Sequence, residues 1–130
     1  MQVMNTHRAT TPLKVLGKLI GANMNVTTDQ TIPITLDQGS KFVINQILVM
    51  NTSTSLTLAA GGVYTAASKG GSAVVAAAQV YSALTGATKM VVATLAITDT
   101  VWTVSSLILS LTVAQGGAAT ADIYVMGYVL

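Results

Sequence analysis

Apolar side chains recur at every second position along much of this chain, and this period constrains the fold more than any other feature. In the clearest run, apolar residues alternate with hydroxyl side chains: Leu107, Leu109, Leu111 and Val113 against Ser106, Ser110 and Thr112. Successive side chains of a β-strand point to opposite faces, so such a run offers one apolar face to a core. The chain is therefore expected to be all-β.

Two earlier segments show the same alternation, around residues 13–19 and 31–36. Their predicted core rows are Leu13, Val15 and Leu19 in the first segment, and Ile32, Ile34 and Leu36 in the second. Proline has no N–H to donate to a neighbouring strand. Pro33 therefore predicts that the second strand lies at a sheet edge.

Two runs are apolar on both faces, at residues 42–50 and 123–130. Such runs are expected where a second sheet covers one face of the strand and another subunit covers the other. The alternative is a central strand with a few exposed apolar residues, which is common in soluble proteins. The sequence leaves both interpretations open.

Turn signals separate these runs at the spacing of an all-β sandwich or barrel. Residues 63–65 and 73–75 are predicted to form a hairpin through Ser68, Lys69, Gly70 and Gly71, because glycine supplies the positive φ angles that tight turns need. Residues 73–84 are ambiguous, since their alanines favour helix. We interpret them as strand-like or irregular.

Residues that carry out chemistry are scarce. The chain has no cysteine and no glutamate, a single histidine, His7, and four scattered aspartates. A Ser-His-Asp triad would have to use His7 near the N-terminus, and no two aspartates are placed convincingly for paired carboxylate catalysis. The sequence also lacks a zinc ligand set, an Asp-rich calcium loop and a phosphate-binding glycine motif. We expect no enzyme activity, no catalytic residue, no metal site and no cofactor.

Charge is equally scarce and is unevenly placed. Charged residues are 8% of the chain, against about 25% in a typical soluble domain. Arg8, Lys14 and Lys18 occur in the first 18 residues without an acid, whereas the remainder has three lysines against four aspartates, a net charge of −1. We predict an extended basic arm over residues 1–12 and a single β-sandwich domain over 13–130. The three cations are predicted to dock on an acidic neighbouring protein, with a tail of no function as the alternative.

The charge pattern argues against nucleic acid as a partner, and the residue types of the most apolar segment argue against a membrane. Neutralising about three phosphates would give a salt slope of only about −2.7, and no aromatic residues lie between the cations to stack on bases. The mean hydropathy is +0.66, but residues 100–121, the closest approach to a spanning segment, are rich in strand-favouring Thr and Val. So little surface charge makes an isolated monomer poorly soluble, which favours a homo-oligomer.

Trp102 is the one aromatic residue with a candidate binding role. It follows the turn-like segment 98–100 and is predicted to be an interface or glycan-contact residue. A tryptophan in such a place is more often an anchor in a core or an interface than a platform for a sugar.

Two stretches of the chain resemble small structural proteins of tailed bacteriophages. The first is NTSTSLTLAAGGVYTAASKGG at residues 51–71, continuing to QVYSAL at 79–84, and the second is LSLTVAQGGAATADIYV at 109–125. The likeness covers roughly residues 21–130 and is one of composition and phrase. Among these phage structural proteins, the chain resembles the capsid decoration or cement proteins most.

The resemblance implies an antiparallel β-sandwich, often a jelly roll, that assembles as a trimer or dimer on the outside of the major capsid lattice. It also implies an arm that reaches across a capsomer boundary. The expected partners are then the major capsid protein and further copies of the chain, and the expected location is the surface of a virion made in the host cytoplasm. A tail-fibre or baseplate β-domain that binds host glycan is the main alternative. Another β-sandwich module, such as a major capsid protein, a surface-layer component or an adhesin, is the third.

Overall fold

Over residues 12–130, the alternating pattern of the sequence forms nine antiparallel strands. A computed structural model describes residues 12–130, and in this part of the chain there is no helix. The strands are β1 (Lys14–Asn23), β2 (Gln30–Pro33), β3 (Phe42–Met50), β4 (Ala60–Ala66), β5 (Gly70–Val75), β6 (Met90–Ala93), β7 (Val101–Trp102), β8 (Ser106–Val113) and β9 (Thr120–Val129).

The strands form two sheets that pack face to face as a β-sandwich. Sheet A has the order β1-β9-β3-β6, with β7 also paired to β3, and sheet B has the order β2-β8-β4-β5. Most consecutive strands lie in opposite sheets, so the chain crosses repeatedly from one to the other. Only two consecutive pairs, β4–β5 and β6–β7, have both strands in the same sheet. The predicted all-β antiparallel sandwich is confirmed.

The core lies between the two sheets and receives every second side chain of the central strands. In β8, Leu107, Leu109 and Leu111 are fully buried, as the alternation predicts, while Val113 at the strand end is 48% exposed. Ile32 is also fully buried, and Ile34 and Leu36 pack on the core from the segment after β2. Sheet B therefore follows its sequence pattern closely.

The predicted core row of β1 is wrong for Leu13 and Val15, whereas Leu19 packs against the core as predicted. Leu13 and Val15 lie on the exposed side, whereas Leu16 is 1% exposed and faces the core. The pairing of β1 with β9 shifts between Val15 and Gly17 and again between Leu19 and Ala22. Each extra residue in such a bulge reverses the side to which the following side chains point. A strict period of two cannot anticipate that reversal.

The edge position of β2 is confirmed, because β2 is the outermost strand of sheet B and Pro33 is its last residue. The predicted β4–β5 hairpin is also confirmed. In its turn the positive φ angles fall on Ser68, Lys69 and Gly71, with Gly70 taking an ordinary conformation. The segment after β5 is irregular and touches β4 through one bridge, from Val80 to Ala60.

One glutamine ties together three of the loops at one end of the sandwich. The Gln115 side-chain oxygen accepts hydrogen bonds from the backbone N–H groups of Leu58 and Ala59, at 2.9 and 3.1 Å. Its amide nitrogen donates to the Thr57 hydroxyl, and its backbone N–H donates to the Met24 carbonyl. These contacts join the β1–β2, β3–β4 and β8–β9 connections.

Candidate interaction surface

The outward side chains of sheet A are apolar along its two central strands. In β3, Ile44, Ile47 and Val49 are buried in the core, so Val43, Leu48 and Met50 point away from it. In β9, the buried residues are Ala121, Ile123 and Val125. The outward residues of β9 are therefore Asp122, Tyr124, Met126 and Tyr128.

Strand register arranges these residues in rows that run across the sheet. The rows are Val15–Met126–Gln46, Lys18–Tyr124–Leu48–Val92, Asp122–Met50–Met90 and Tyr128–Val43–Val101. Residues directly opposite each other on neighbouring strands have Cβ atoms about 5 Å apart, so the side chains within a row are neighbours on the surface. We call this surface the outer A face.

No segment within residues 12–130 covers the outer A face. Val15, Met90, Val92 and Val101 are each about half exposed, between 49% and 53%, and the residues of β3 and β9 between them are partly exposed. Scattered exposed apolar residues are normal, but a contiguous apolar patch of several hundred Å² marks an interaction site. The two-sided runs of the sequence thus face the core on one side and an uncovered apolar surface on the other.

The charged side chains of the outer A face lie at its margins. Lys18 is on β1, the edge strand, and Asp122 is near the start of β9. Asp122 accepts hydrogen bonds from the Gly21 N–H at 2.8 Å and from the Asn51 amide at 2.9 Å. Both charged groups therefore leave the centre of the face apolar, and depletion of charge at the centre is usual in protein–protein interfaces.

The outer face of sheet B is different, because the chain covers part of it. The turn between β4 and β5 reaches past β8, where the Ser68 N–H donates to the Asp29 carboxylate at 2.7 Å and the Lys69 ammonium to the Ser110 hydroxyl at 3.0 Å. The hydrogen bond from Ser68, with a smaller one from Ser110, holds the pKa of Asp29 below its ordinary value. Polar contacts within the chain therefore occupy this face.

The contact between Lys69 and Ser110 has the residue types of a Ser-Lys catalytic dyad. Ser110 is only 1% exposed, so a substrate cannot reach its hydroxyl in this arrangement. The Lys69 ammonium also lies close enough to the Asp29 carboxylate to interact with its charge. The geometry is that of a tether for the hairpin.

Two shallow grooves lie where the edges of the sheets meet. One, of about 370 Å³, is lined by residues 15–18 of β1 together with Pro33 and Thr35. The other, of about 220 Å³, is lined by the segments after β2 and before β8, including Ile34, Leu36 and Val104. Neither groove contains an acidic or histidine side chain, and Lys18 is the only cation between them.

Of the three predicted docking cations, the structure describes Lys14 and Lys18, which lie in different surroundings. Arg8 lies outside the described residues. Lys14 and Lys18 both belong to β1, where the Lys14 ammonium is 2.6 Å from the Asp37 carboxylate in an exposed ion pair. That hydrogen bond lowers the pKa of Asp37. Lys18 instead projects from the outer A face, and the predicted role of these cations in docking stays a prediction.

Trp102 lies in β7 opposite Phe42 and packs against the core. Its neighbour Val101 is the residue that points outward, opposite Val43. A partly buried indole presents less of its ring to a ligand than a free platform would. The interface or glycan role of Trp102 stays a prediction.

The sequence offered no signal for several polar residues that organise this structure. Gln115, Asn51 and Asp122 make contacts between segments 56–101 residues apart. Each is a common residue type without a motif around it. Only the three-dimensional pairing of the strands brings their partners within reach.

Tyr81 is a deeply buried titratable group, and its substitution carries a prediction. The Tyr81 hydroxyl donates to the Gly61 carbonyl at 2.9 Å, and burial, with Tyr64 as a smaller cause, raises the pKa of Tyr81 well above its ordinary value of 10.0. We expect Tyr81→Phe to lower the free energy of unfolding at pH 7 by about 1–2 kcal/mol, since it leaves a buried carbonyl without its donor.

In the Tyr81→Phe variant, the free energy of unfolding is expected to fall less steeply as the pH rises above 10. Above pH 10 the unfolded chain releases the Tyr81 proton while the folded chain retains it, so the wild type loses stability as the pH rises. Denaturant unfolding at pH 7 and at pH 11 measures both effects, with Tyr128→Phe on the outer A face as the control. Equal pH dependence in wild type and Tyr81→Phe would contradict the assignment.

Residues 12–130 contain no group of three or more potential metal-ligating side chains. The same residues contain no helix with the length and hydropathy needed to cross a membrane. Comparison of the chain with protein-family models, with curated proteins and with solved structures finds no match.

Proposed function

We propose that this protein is a structural component of a bacteriophage virion, a capsid decoration or cement protein that binds the outside of the major capsid lattice. The observation that carries the proposal is the outer A face, an uncovered apolar sheet surface on a domain whose core is already complete. Such a surface is suited to assembly with other protein subunits, whether these are copies of this chain or subunits of the lattice. A protein that binds the assembled lattice better than its separated subunits stabilises the lattice by mass action, and this requires no catalytic group.

The strand order supports a jelly roll. β6 and β7 occupy one position beside β3, so the sandwich has eight strand positions, four in each sheet. Repeated crossing between two four-stranded antiparallel sheets is the arrangement that jelly rolls use, and that fold is common in viral capsid proteins. Because unrelated functions share this fold, it supports the proposal by analogy only.

The charge distribution supports docking among protein subunits. Of the six lysines and arginines, Lys14 is paired with Asp37 and Lys69 contacts Ser110 close to Asp29. The described residues therefore offer no concentrated basic surface for DNA. The basic residues near the N-terminus are proposed to add electrostatic attraction to an acidic lattice.

The direct test is binding of the purified protein to expanded heads that lack it. We expect co-sedimentation that saturates at a fixed number of copies per capsomer, and a higher temperature for head rupture, because only the intact lattice offers the complete binding site. A chain without residues 1–11 is expected to bind more weakly and to remain folded. Unexpanded heads serve as the control for lattice state.

Failure to bind expanded heads at low salt would contradict the capsid proposal. Unchanged binding without residues 1–11 would show that the arm has no part in docking. Binding to tails in place of heads would favour the tail-fibre or baseplate alternative.

A further inference from the structure

We propose that the outer A face is the contact between two copies of this chain, packed face to face about a two-fold axis. The inference goes beyond the proposed function, since it concerns the free protein and does not depend on any capsid. It rests on the composition of the face, its ionic groups and its size.

The centre of the outer A face contains residue types that favour protein interfaces. Tyr124 and Leu48 lie opposite each other in the middle of the sheet, flanked by Met126 and Met50. Tyrosine has a large apolar ring and a polar tip, and methionine adapts its shape to an irregular partner surface. Together with Met90, the face holds three of the six methionines of the chain.

The ionic groups of the face suit a second copy better than a strongly charged partner. In the described part of the chain the face has one cation, Lys18, and one anion, Asp122, both at the rim. A phosphate-rich partner would find a single lysine there, and a basic partner would find a carboxylate already bonded to Gly21 and Asn51. In a two-fold contact the same surface of each copy packs against the other. Because this face has no net charge, two copies of it do not repel each other.

The size of the face matches a weak dimer. β9 contributes about seven residues of roughly 3.3 Å each, and four strands at roughly 4.8 Å spacing give a surface of about 23 by 19 Å. Two such surfaces bury roughly 900 Å² or more, close to the ~1,000 Å² that a specific interface needs. Aligned packing of twisted sheets, at about −30° and ~10 Å separation, would make this contact.

The first test measures the mass of the full-length protein against concentration by analytical ultracentrifugation. We expect a dimer at roughly 100 μM that dissociates on dilution, because interfaces at the lower end of the size range are commonly weak or transient. A monomer at several hundred μM, or a stable trimer, would overturn the proposal.

Two substitutions test which face is used. Leu48→Lys places a charge at the centre of the face in both copies and is expected to raise the dissociation constant of the dimer by about 100-fold. Val92→Lys acts at a side chain already 50% exposed in the single chain, so the fold should tolerate it, and we expect an increase of about tenfold or more. Thr31→Lys, an exposed position on β2 of sheet B, is the matched control and should leave the dimer unchanged.

Cross-linking adds a test that does not depend on weakened binding. The chain contains no cysteine, so single-cysteine variants react at one known position. Gln46→Cys, opposite Met126 on the outer A face, should form cross-linked dimers with a short bismaleimide, whereas Thr31→Cys should not. Efficient cross-linking at residue 31, or dimers insensitive to both lysine substitutions, would place the contact elsewhere and overturn the proposal.

The capsid proposal and the dimer proposal fail in distinguishable ways. A protein that dimerises through this face but does not bind heads contradicts only the capsid role. A monomer that binds heads and buries Leu48 there would overturn the dimer and identify the lattice as the occupant of the face.

Discussion

Gly127→Ala is expected to destabilise this protein more than any other single methyl addition in β9. A Cβ at residue 127 would overlap the carbonyl oxygen of Val43 on the neighbouring strand and would lie 2.7 Å from the Leu16 Cδ1 atom. The main obstacle is backbone, which cannot move without breaking the β3–β9 pairing beside the bulge at Asn45. We expect a loss of about 3 kcal/mol in the free energy of unfolding and a Tm lower by about 10 °C.

The matched control is Gly117→Ala, in the connection between β8 and β9. An added Cβ there meets no heavy atom within 4 Å, so the same chemical change should alter the free energy of unfolding by less than about 0.5 kcal/mol. Thermal unfolding followed by circular dichroism compares the two. Equal Tm values for Gly127→Ala and wild type would mean that β3 and β9 do not approach each other as described.

Leu109→Ala is expected to be the other large effect, at about 3 kcal/mol. Leu109 is fully buried at the centre of β8, paired with Val63 on β4 and Gln30 on β2. Its truncation removes apolar burial and leaves a cavity between the sheets, and such substitutions cost about 2–5 kcal/mol. Denaturant unfolding measures the loss, with the denaturant dependence expected to stay unchanged.

Val113→Ala on the same strand provides the comparison. Val113 is 48% exposed, so its truncation should cost less than about 1 kcal/mol. Similar losses at both positions would contradict the burial of Leu109 between the two sheets.

Strand positions were largely predictable because burial follows the period of two. The run at residues 42–50 coincides with β3. The run at 123–130 begins three residues after the start of β9 and ends one residue beyond it. The row of leucines in β8 was also predicted correctly. These segments depend on local pattern, which a sequence displays directly.

The candidate surface was only half predictable. The two-sided apolar runs left open whether β3 and β9 are covered on both faces or are central strands with a few exposed apolar residues, and they did not show that the two strands are neighbours. Their pairing joins segments about 80 residues apart, and the contribution of β1 depends on two bulges that reverse the expected orientation of Val15 and Leu16. Register across distant strands is set by tertiary packing and turn geometry, which no local pattern encodes.

The sequence by itself determined that this chain is β-structured, poor in charge and nearly without reactive side chains. These properties follow from residue type and spacing alone, because alternation produces strands and the missing side chains cannot be supplied by folding. Only the tertiary structure decided which surface is left open. The β4–β5 turn reaches Asp29 and Ser110 and covers part of sheet B, whereas no described segment of the chain lies over Leu48 and Tyr124 on sheet A. That asymmetry arises from contacts between distant segments, and it gives the protein its candidate interaction surface.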